Sequence, residues 1–177
     1  MKYRQDKVLK LLDQHGETLH RLLARLTRCE HTTRDLMQEL FIKLSTSRGF
    51  DKADNPYAYA WKSATNLAFR RHQRKKVNVE SFESIQLPQE SNHDALTEMI
   101  QQEQLQQVLQ VTATFKELAR NVIVMRFIEQ QSYEEIAERL GKNPDYLRSV
   151  CSKTLKELRH KLNHPLSDQN EREVCYE

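Results

Sequence analysis

The chain has 177 residues, enough for one ordinary domain or two small ones. Hydrophobic residues make up 38% and charged residues 30%, with three Gly and four Pro, a balance that favours ordered helices and argues against a turn-rich β fold. The formal charge of +3 conceals a segregation: residues 1–76 hold 17 Lys/Arg against 8 Asp/Glu, whereas residues 77–115 hold no Lys or Arg and 6 acids. Residues 116–162 return to 10 cations against 7 acids, and residues 163–177 hold 1 against 4. Two basic blocks around an acidic one are unusual for a single compact enzyme domain.

Several classes can be set aside. No apolar run approaches the roughly 20 residues that span a bilayer, and the opening MKYRQDKVLKLLDQHGE is broken by charges where a signal peptide needs an apolar core. A cytoplasmic protein with no direct membrane insertion is expected. Cys29, Cys151 and Cys175 are too far apart for a disulfide framework or a CxxC knuckle, and no HExxH motif occurs. Cys29-Glu30-His31 is the nearest approach to a ligand cluster, and it is too sparse to hold a metal. Neither a nucleophile–base pair nor a glycine-rich phosphate loop is recognisable, so no catalytic residue and no cofactor is expected.

In chain order, Val8, Leu9, Leu11, Leu12, Leu19, Leu22, Leu23 and Leu26 fall at helical spacing over residues 4–28. This predicts one helix softened at Gly16, or two short ones. Thr32 with Asp35 three residues on fits a capping box, predicting a helix over 33–44 that buries Leu36, Leu40, Ile42 and Leu44 with Phe41. Asp35, Gln38, Glu39 and Lys43 would form a polar row on its other side. A polar loop over 45–54 contains Gly49 and Phe50.

Residues 55–76, NPYAYAWKSATNLAFRRHQRKK, carry the strongest local signal. Asn55-Pro56 supplies an N-cap and a first-turn proline. Tyr57, Ala60, Trp61, Ala64, Leu67 and Ala68 make an apolar stripe, beside a face of Tyr59, Lys62, Ser63, Asn66 and Arg70. The helix ends in Arg70, Arg71, Arg74, Lys75 and Lys76. Aromatic and amide groups that can stack on or hydrogen-bond an unpaired base thus sit beside cations that can neutralise phosphates. A core helix with a solvated basic end would carry the same residues.

Residues 77–94 are acidic, contain Pro88 and show no sustained period, as an interdomain connector would. Two helices are then predicted, over 95–111 (Leu96, Met99, Ile100, Leu105, Val108, Leu109) and 115–128 (Leu118, Val122, Met125, Ile128). Ser132 and Glu135 form a second capping box for a short helix over 133–140, Gly141 supplies a left-handed stop, and Asn143-Pro144 restarts a longer helix. That helix would bury Leu147, Cys151, Leu155, Leu158 and Leu162. It would present Tyr146, Arg148, Ser149, Ser152, Lys153, Lys156 and Arg159 outward, as a helix-turn-helix does toward a major groove. Residues 164–177 form an acidic tail. The fold expected is all-α: two small helical domains, 1–76 and 95–163, joined by the connector.

These residues resemble sigma factors of the bacterial sigma-70 class, in the short two-domain form called extracytoplasmic-function sigma factors. Asp35-Leu36-Met37-Gln38-Glu39-Leu40-Phe41 looks like that family's D-L-x-Q-E-x-F helix. Residues 55–76 are similar to its aromatic helix ending in N-L-A and a basic run. Ser132-Tyr133-Glu134-Glu135-Ile136-Ala137 with Leu140-Gly141 looks like its S-Y-E-E-I-A-x-x-L-G segment. All three stand in the family's order.

The resemblance implies that Asp35, Leu36, Gln38, Glu39 and Phe41 dock on a coiled coil of core RNA polymerase. It implies that Phe50, Tyr59, Trp61, Lys62 and Asn66, with Arg70 and Arg71, hold the melted −10 element of promoter DNA, and that Tyr146, Arg148, Ser149, Ser152 and Lys153 serve the −35 element. The acidic connector would thread toward the polymerase cleft, keeping the two DNA grips apart, and an anti-sigma factor is an expected partner. The residues by themselves leave open a polymerase-independent helix-turn-helix regulator.

Overall fold

The computed structural model describes residues 2–77 and 93–163. The expected acidic connector, apart from its ends, and the acidic tail lie outside the described residues. Among the described residues all regular structure is helical.

Helix α1 (Lys2–Thr27) is continuous. Val8, Leu11, Leu19, Leu22, Leu23 and Leu26 are buried along one stripe. Gly16 in mid-helix costs about 0.5–1 kcal/mol relative to Ala. Six large apolar side chains contribute about 1.5–3 kcal/mol each, so the stripe outweighs the glycine and no break forms. Leu9, expected in the core, is 55% exposed because it follows Val8 by a single residue and so turns off the stripe.

Arg28 adopts φ +53 and donates its N–H to the Ala24 carbonyl at 2.9 Å, closing α1 with a left-handed residue. Helix α2 (Glu30–Thr46) then begins earlier than the capping-box reading places it, with Cys29 at the N-cap. Thr32 and Thr33 are buried, and the Thr33 hydroxyl bonds the Cys29 carbonyl (2.9 Å) and the Thr27 hydroxyl (2.8 Å). Burial of these threonines against α1 overrides the local cap. Asp35 faces His31 instead, at 3.3 Å. Leu36, Leu40 and Leu44 point inward as expected, but Phe41 is 37% and Ile42 61% exposed, since a four-residue rhythm fixes the buried side and both lie off it.

The expected polar loop contains one short helix, α3 (Arg48–Asp51), capped by Ser47 and burying Phe50. Helix α4 (Pro56–Val77) starts as the sequence specifies, with Asn55 Oδ1 accepting the Ala58 N–H at 2.9 Å. Its buried set is wider than one stripe, taking in Ser63, Thr65, Phe69 and His72 as well. The reason is tertiary: α1 and α2 pack on one side of α4, and α5 (His93–Ala113) packs on the other.

The predicted helix over 115–128 is divided. Helix α6 (Glu117–Ile123) passes into a π-helical turn (Val124–Ile128) that buries Val124 and Met125. The wider turn delivers Glu129 to the first half of the molecule. Helices α7 (Tyr133–Leu140) and α8 (Pro144–Asn163) follow as predicted. The full capping box forms at Ser132 and Glu135, and Gly141 takes φ 62. A Cβ at Gly141 would meet nothing nearby, so the left-handed backbone alone favours glycine there.

Among the described residues the two halves each supply four α-helices, yet they are not held apart. α1 touches the π turn, α4 packs on α5, and the buried apolar residues of both halves form one continuous cluster.

Candidate nucleic-acid interface

Three surfaces carry the residues singled out from the sequence, and they stand in different states. On α2, Gln38 and Glu39 are exposed and Asp35 is partly so, while Leu36 lies inside and anchors the helix. Phe41 and Ile42 add apolar area on the outside of the same helix.

On α8, Tyr146, Arg148, Ser149, Ser152, Lys153, Lys156 and Arg159 are all exposed. Arg148 is oriented by its surroundings: its guanidinium donates to Asp145 Oδ1 at 2.8 Å and to Glu134 Oε1 at 2.7 Å, and it lies 5.4 Å from the Tyr133 ring. Arg126 takes another approach to that ring, at 5.1 Å. Both Nη atoms are thus committed to acids of the same half, which fixes the plane of the guanidinium. Glu134 and Tyr133 are therefore positioning residues that the outward-face pattern did not single out.

The face of α4 is covered. Trp61 is 2% exposed; its indole N–H donates to Glu129 Oε1 at 2.9 Å, and the Arg139 guanidinium lies 4.7 Å from its ring. Glu129 Oε2 in turn accepts from Arg139 at 3.1 Å, and Arg139 also approaches the Tyr57 ring at 5.2 Å. Asn66 Oδ1 accepts from Arg120 at 2.7 Å, and Lys62 pairs with Glu117 at 3.0 Å. Burial lowers the pKa of the Arg120 guanidinium, with Glu117 acting in the opposite sense. Tyr59 is partly buried with its hydroxyl 2.7 Å from that of Ser47. Phe50 is fully buried, with Lys7 Nζ 5.1 Å from its ring centroid and bonded to its carbonyl at 3.2 Å. Arg70 is exposed and Arg71 partly so.

A cleft of about 430 Å³ runs between the halves beside these contacts, lined by Tyr59, Trp61, Lys62, Asn121 and Arg139 among others. Further bonds cross the same boundary, from Arg25 to the Ile128 carbonyl (2.8 Å) and from Gln73 to the Ala113 carbonyl (2.7 Å). Glu129, Arg139, Arg120 and Glu117 had no sequence signal, because each acts on a partner more than 50 positions away. Among the described residues no group of three or more His, Cys, Asp or Glu side chains could hold a metal ion, and no helix is long and apolar enough to cross a membrane.

Residues 11–77 match the model described as Sigma-70 region 2, and residues 113–160 match that of Sigma-70, region 4. Between them the matches take in more than half of the chain, in the order 2 then 4. Comparison with curated proteins finds none that matches. Region 2 contains α2 and the covered face of α4, and region 4 contains the helix-turn-helix of α7 and α8. With both regions present in that order, the chain belongs to the sigma-70 family, as an extracytoplasmic-function-type sigma factor with a role in promoter recognition.

Proposed function

We propose that this sigma factor binds core RNA polymerase through α2, recognises and holds open the −10 element with α4, and reads the −35 element with α8. The observation that carries the reading is the pair of matches, to regions 2 and 4, borne on α2 and α8, whose exposed faces suit those tasks, and on α4, whose face is covered. Asp35, Gln38, Glu39 and Phe41 make a mixed acidic, amide and aromatic surface on α2, supported from beneath by Leu36. The outward row Tyr146, Arg148, Ser149, Ser152 and Lys153 offers groups for phosphates and base edges on duplex. Trp61, Tyr59 and Asn66, with Phe50 beneath, would stabilise an unstacked base, and Lys62, Arg70 and Arg71 would neutralise the strand's phosphates. Opening duplex costs stacking energy, which aromatic and amide contacts of this kind offset.

In this reading residues 1–76 and 95–163 are separate working units, the acidic residues 77–94 connect them, and the protein acts in the cytoplasm. An anti-sigma factor as its inhibitor is part of the same reading, motivated by the resemblance to extracytoplasmic-function members.

The test is reconstitution with purified core polymerase, followed by sequencing of the transcripts made. The expected result is a stable complex and transcripts starting a fixed distance from a shared pair of upstream elements. If core polymerase is not bound under conditions where a known sigma factor is, the proposal fails. Tight duplex binding by the isolated protein, with no promoter opening on adding core enzyme, would identify a polymerase-independent regulator instead.

A further inference from the structure

Helix α3 is four residues long, too short to gain much from its own hydrogen bonds, yet Phe50 within it is fully buried. Its order comes from outside, through side chains that tether it at both ends. At its start the Ser47 hydroxyl accepts the Phe50 N–H at 3.3 Å, and the same oxygen lies 2.7 Å from the Tyr59 hydroxyl. At its end Lys7, from α1, donates to the carbonyls of Phe50 (3.2 Å) and Asp51 (3.1 Å), with its ammonium 5.1 Å from the Phe50 ring centroid. The last carbonyls of a helix lack partners within it, so a cation placed there serves both.

Between these tethers stands Gly49. A Cβ there would come within 3.0 Å of the Tyr59 hydroxyl oxygen and 3.3 Å of its Cε2. Gly49 is exposed and its backbone is not left-handed, so neither burial nor φ calls for glycine; the approach of Tyr59 does. The Tyr59 ring is thus located by three contacts: its hydroxyl on Ser47, its edge against Gly49, and the Phe50 ring at 6.0 Å between centroids. Tyr59 also lines the cleft beside Trp61. All of the tethering residues lie in the first half of the chain, so the arrangement is built without the second.

We infer that Lys7, Ser47 and Gly49 are positioning residues for base selection at the −10 element, because they hold the Tyr59 ring at one place and angle against the unpaired base. The inference rests on the reading of α4 as the strand-binding helix. Stacking alone is sequence-tolerant, since every base has a π face. A fixed ring admits a base only where the shape of the site allows, so discrimination depends on how firmly the ring is held.

The experiment transcribes a promoter library randomised through the −10 element, using core polymerase with each full-length variant, and sequences the transcripts. Thermal midpoint and polymerase affinity are measured alongside. Gly49→Ala is the decisive variant, because it keeps every tether and adds a good helix former at an exposed position. It should retain polymerase affinity and thermal midpoint. Because a misplacement of about 1 Å can cost on the order of 10²-fold, the smaller displacement of Tyr59 should flatten the preference for the favoured −10 bases by about threefold or more. Ser47→Ala and Tyr59→Phe should each flatten it, and the double variant no further, since they remove the same bond. Lys7→Met should act in the same direction, and the conservative Lys7→Arg and Ser47→Thr should restore the wild-type profile.

A protein that is merely destabilised lowers all transcripts in proportion, because the molecules still folded select as the wild type does. A wild-type base profile in Gly49→Ala would overturn the inference, as would losses uniform across the library in the Ser47 and Lys7 variants. Additive effects of Ser47→Ala and Tyr59→Phe would overturn their shared bond as the cause. In each of these outcomes the wild type still starts transcripts from promoters, so the promoter reading stands. A wild type that yields no promoter-specific transcript with core polymerase would overturn that reading, and the inference with it.

Discussion

The outer faces of α4 and α8 are alike as sequence and opposite as structure. Each combines aromatic, hydroxyl or amide, and cationic residues at helical spacing beside an apolar stripe. On α8 those residues face solvent, and Arg148 is held in place by acids of its own domain. On α4, Trp61, Lys62 and Asn66 are taken by residues of the other domain. The difference shows that a face suited to DNA is also suited to any protein surface that offers a planar cation, a hydrogen-bond donor and a carboxylate. Whether such a face is available depends on what packs against its helix.

The comparison is most directly broken through the shared interior. Met125 is buried in the π turn and lines the same cleft as Trp61. Met125→Ala is expected to cost about 2–5 kcal/mol in urea unfolding, as large-to-small core changes do. Trp61 emission and far-ultraviolet circular dichroism should report the same shifted transition. A Trp61 transition that stays in place would mean that the halves unfold independently, and the covered face of α4 would then be a weak contact.

On the open side of the molecule, Gln38→Ala combined with Glu39→Ala should weaken polymerase binding by on the order of 2–4 kcal/mol if the pair sits at the centre of the contact. Unfolding should be unchanged, because both side chains are exposed. Retained polymerase affinity would remove α2 as the anchor. Arg148→Ala should lower affinity for a −35 duplex by about 1–3 kcal/mol and relax specificity there. A loss that is uniform across sequences would make Arg148 a phosphate contact rather than a base reader.

The smallest effect belongs to the start of the helix-turn-helix. Ser132→Ala should cost about 1 kcal/mol, the usual value of an N-cap. The Glu135 carboxyl titrates below its ordinary value because it accepts hydrogen bonds from Ser132. A carboxylate with a depressed pKa contributes stability that is present above its unfolded pKa and fades as pH falls through the folded one. The wild type should therefore lose part of its advantage over Ser132→Ala in acid, measured as the gap between their thermal midpoints. A gap that widens on acidification would contradict the capping-box account.

The local signals held where the physics is local. Asn55-Pro56 started α4, the Ser132/Glu135 box started α7, and Gly141 ended it, because each is a contact between near neighbours in the chain. The signal at Thr32 and Asp35 failed because burial of two threonines against α1 was worth more than an exposed cap. Phe41 and Ile42 were assigned inward since hydrophobicity was counted without the helical angle that turns both outward. The division of the 115–128 helix by a π turn had no counterpart in the apolar pattern, which a single extra residue per turn barely disturbs.

By itself the sequence determined an all-α chain, the helix-turn-helix with its cationic outer face, and the order of motifs that places it among sigma factors. Those properties follow from caps, glycine and residue spacing, which act within a few positions. Only the tertiary structure decided that α4 is covered, that Arg148 is clasped by Glu134, and that Glu129 and Arg139 close over Trp61. Such contacts join residues 14 to 68 positions apart or more, and no local pattern encodes which of several suitable faces the rest of the chain will fold against.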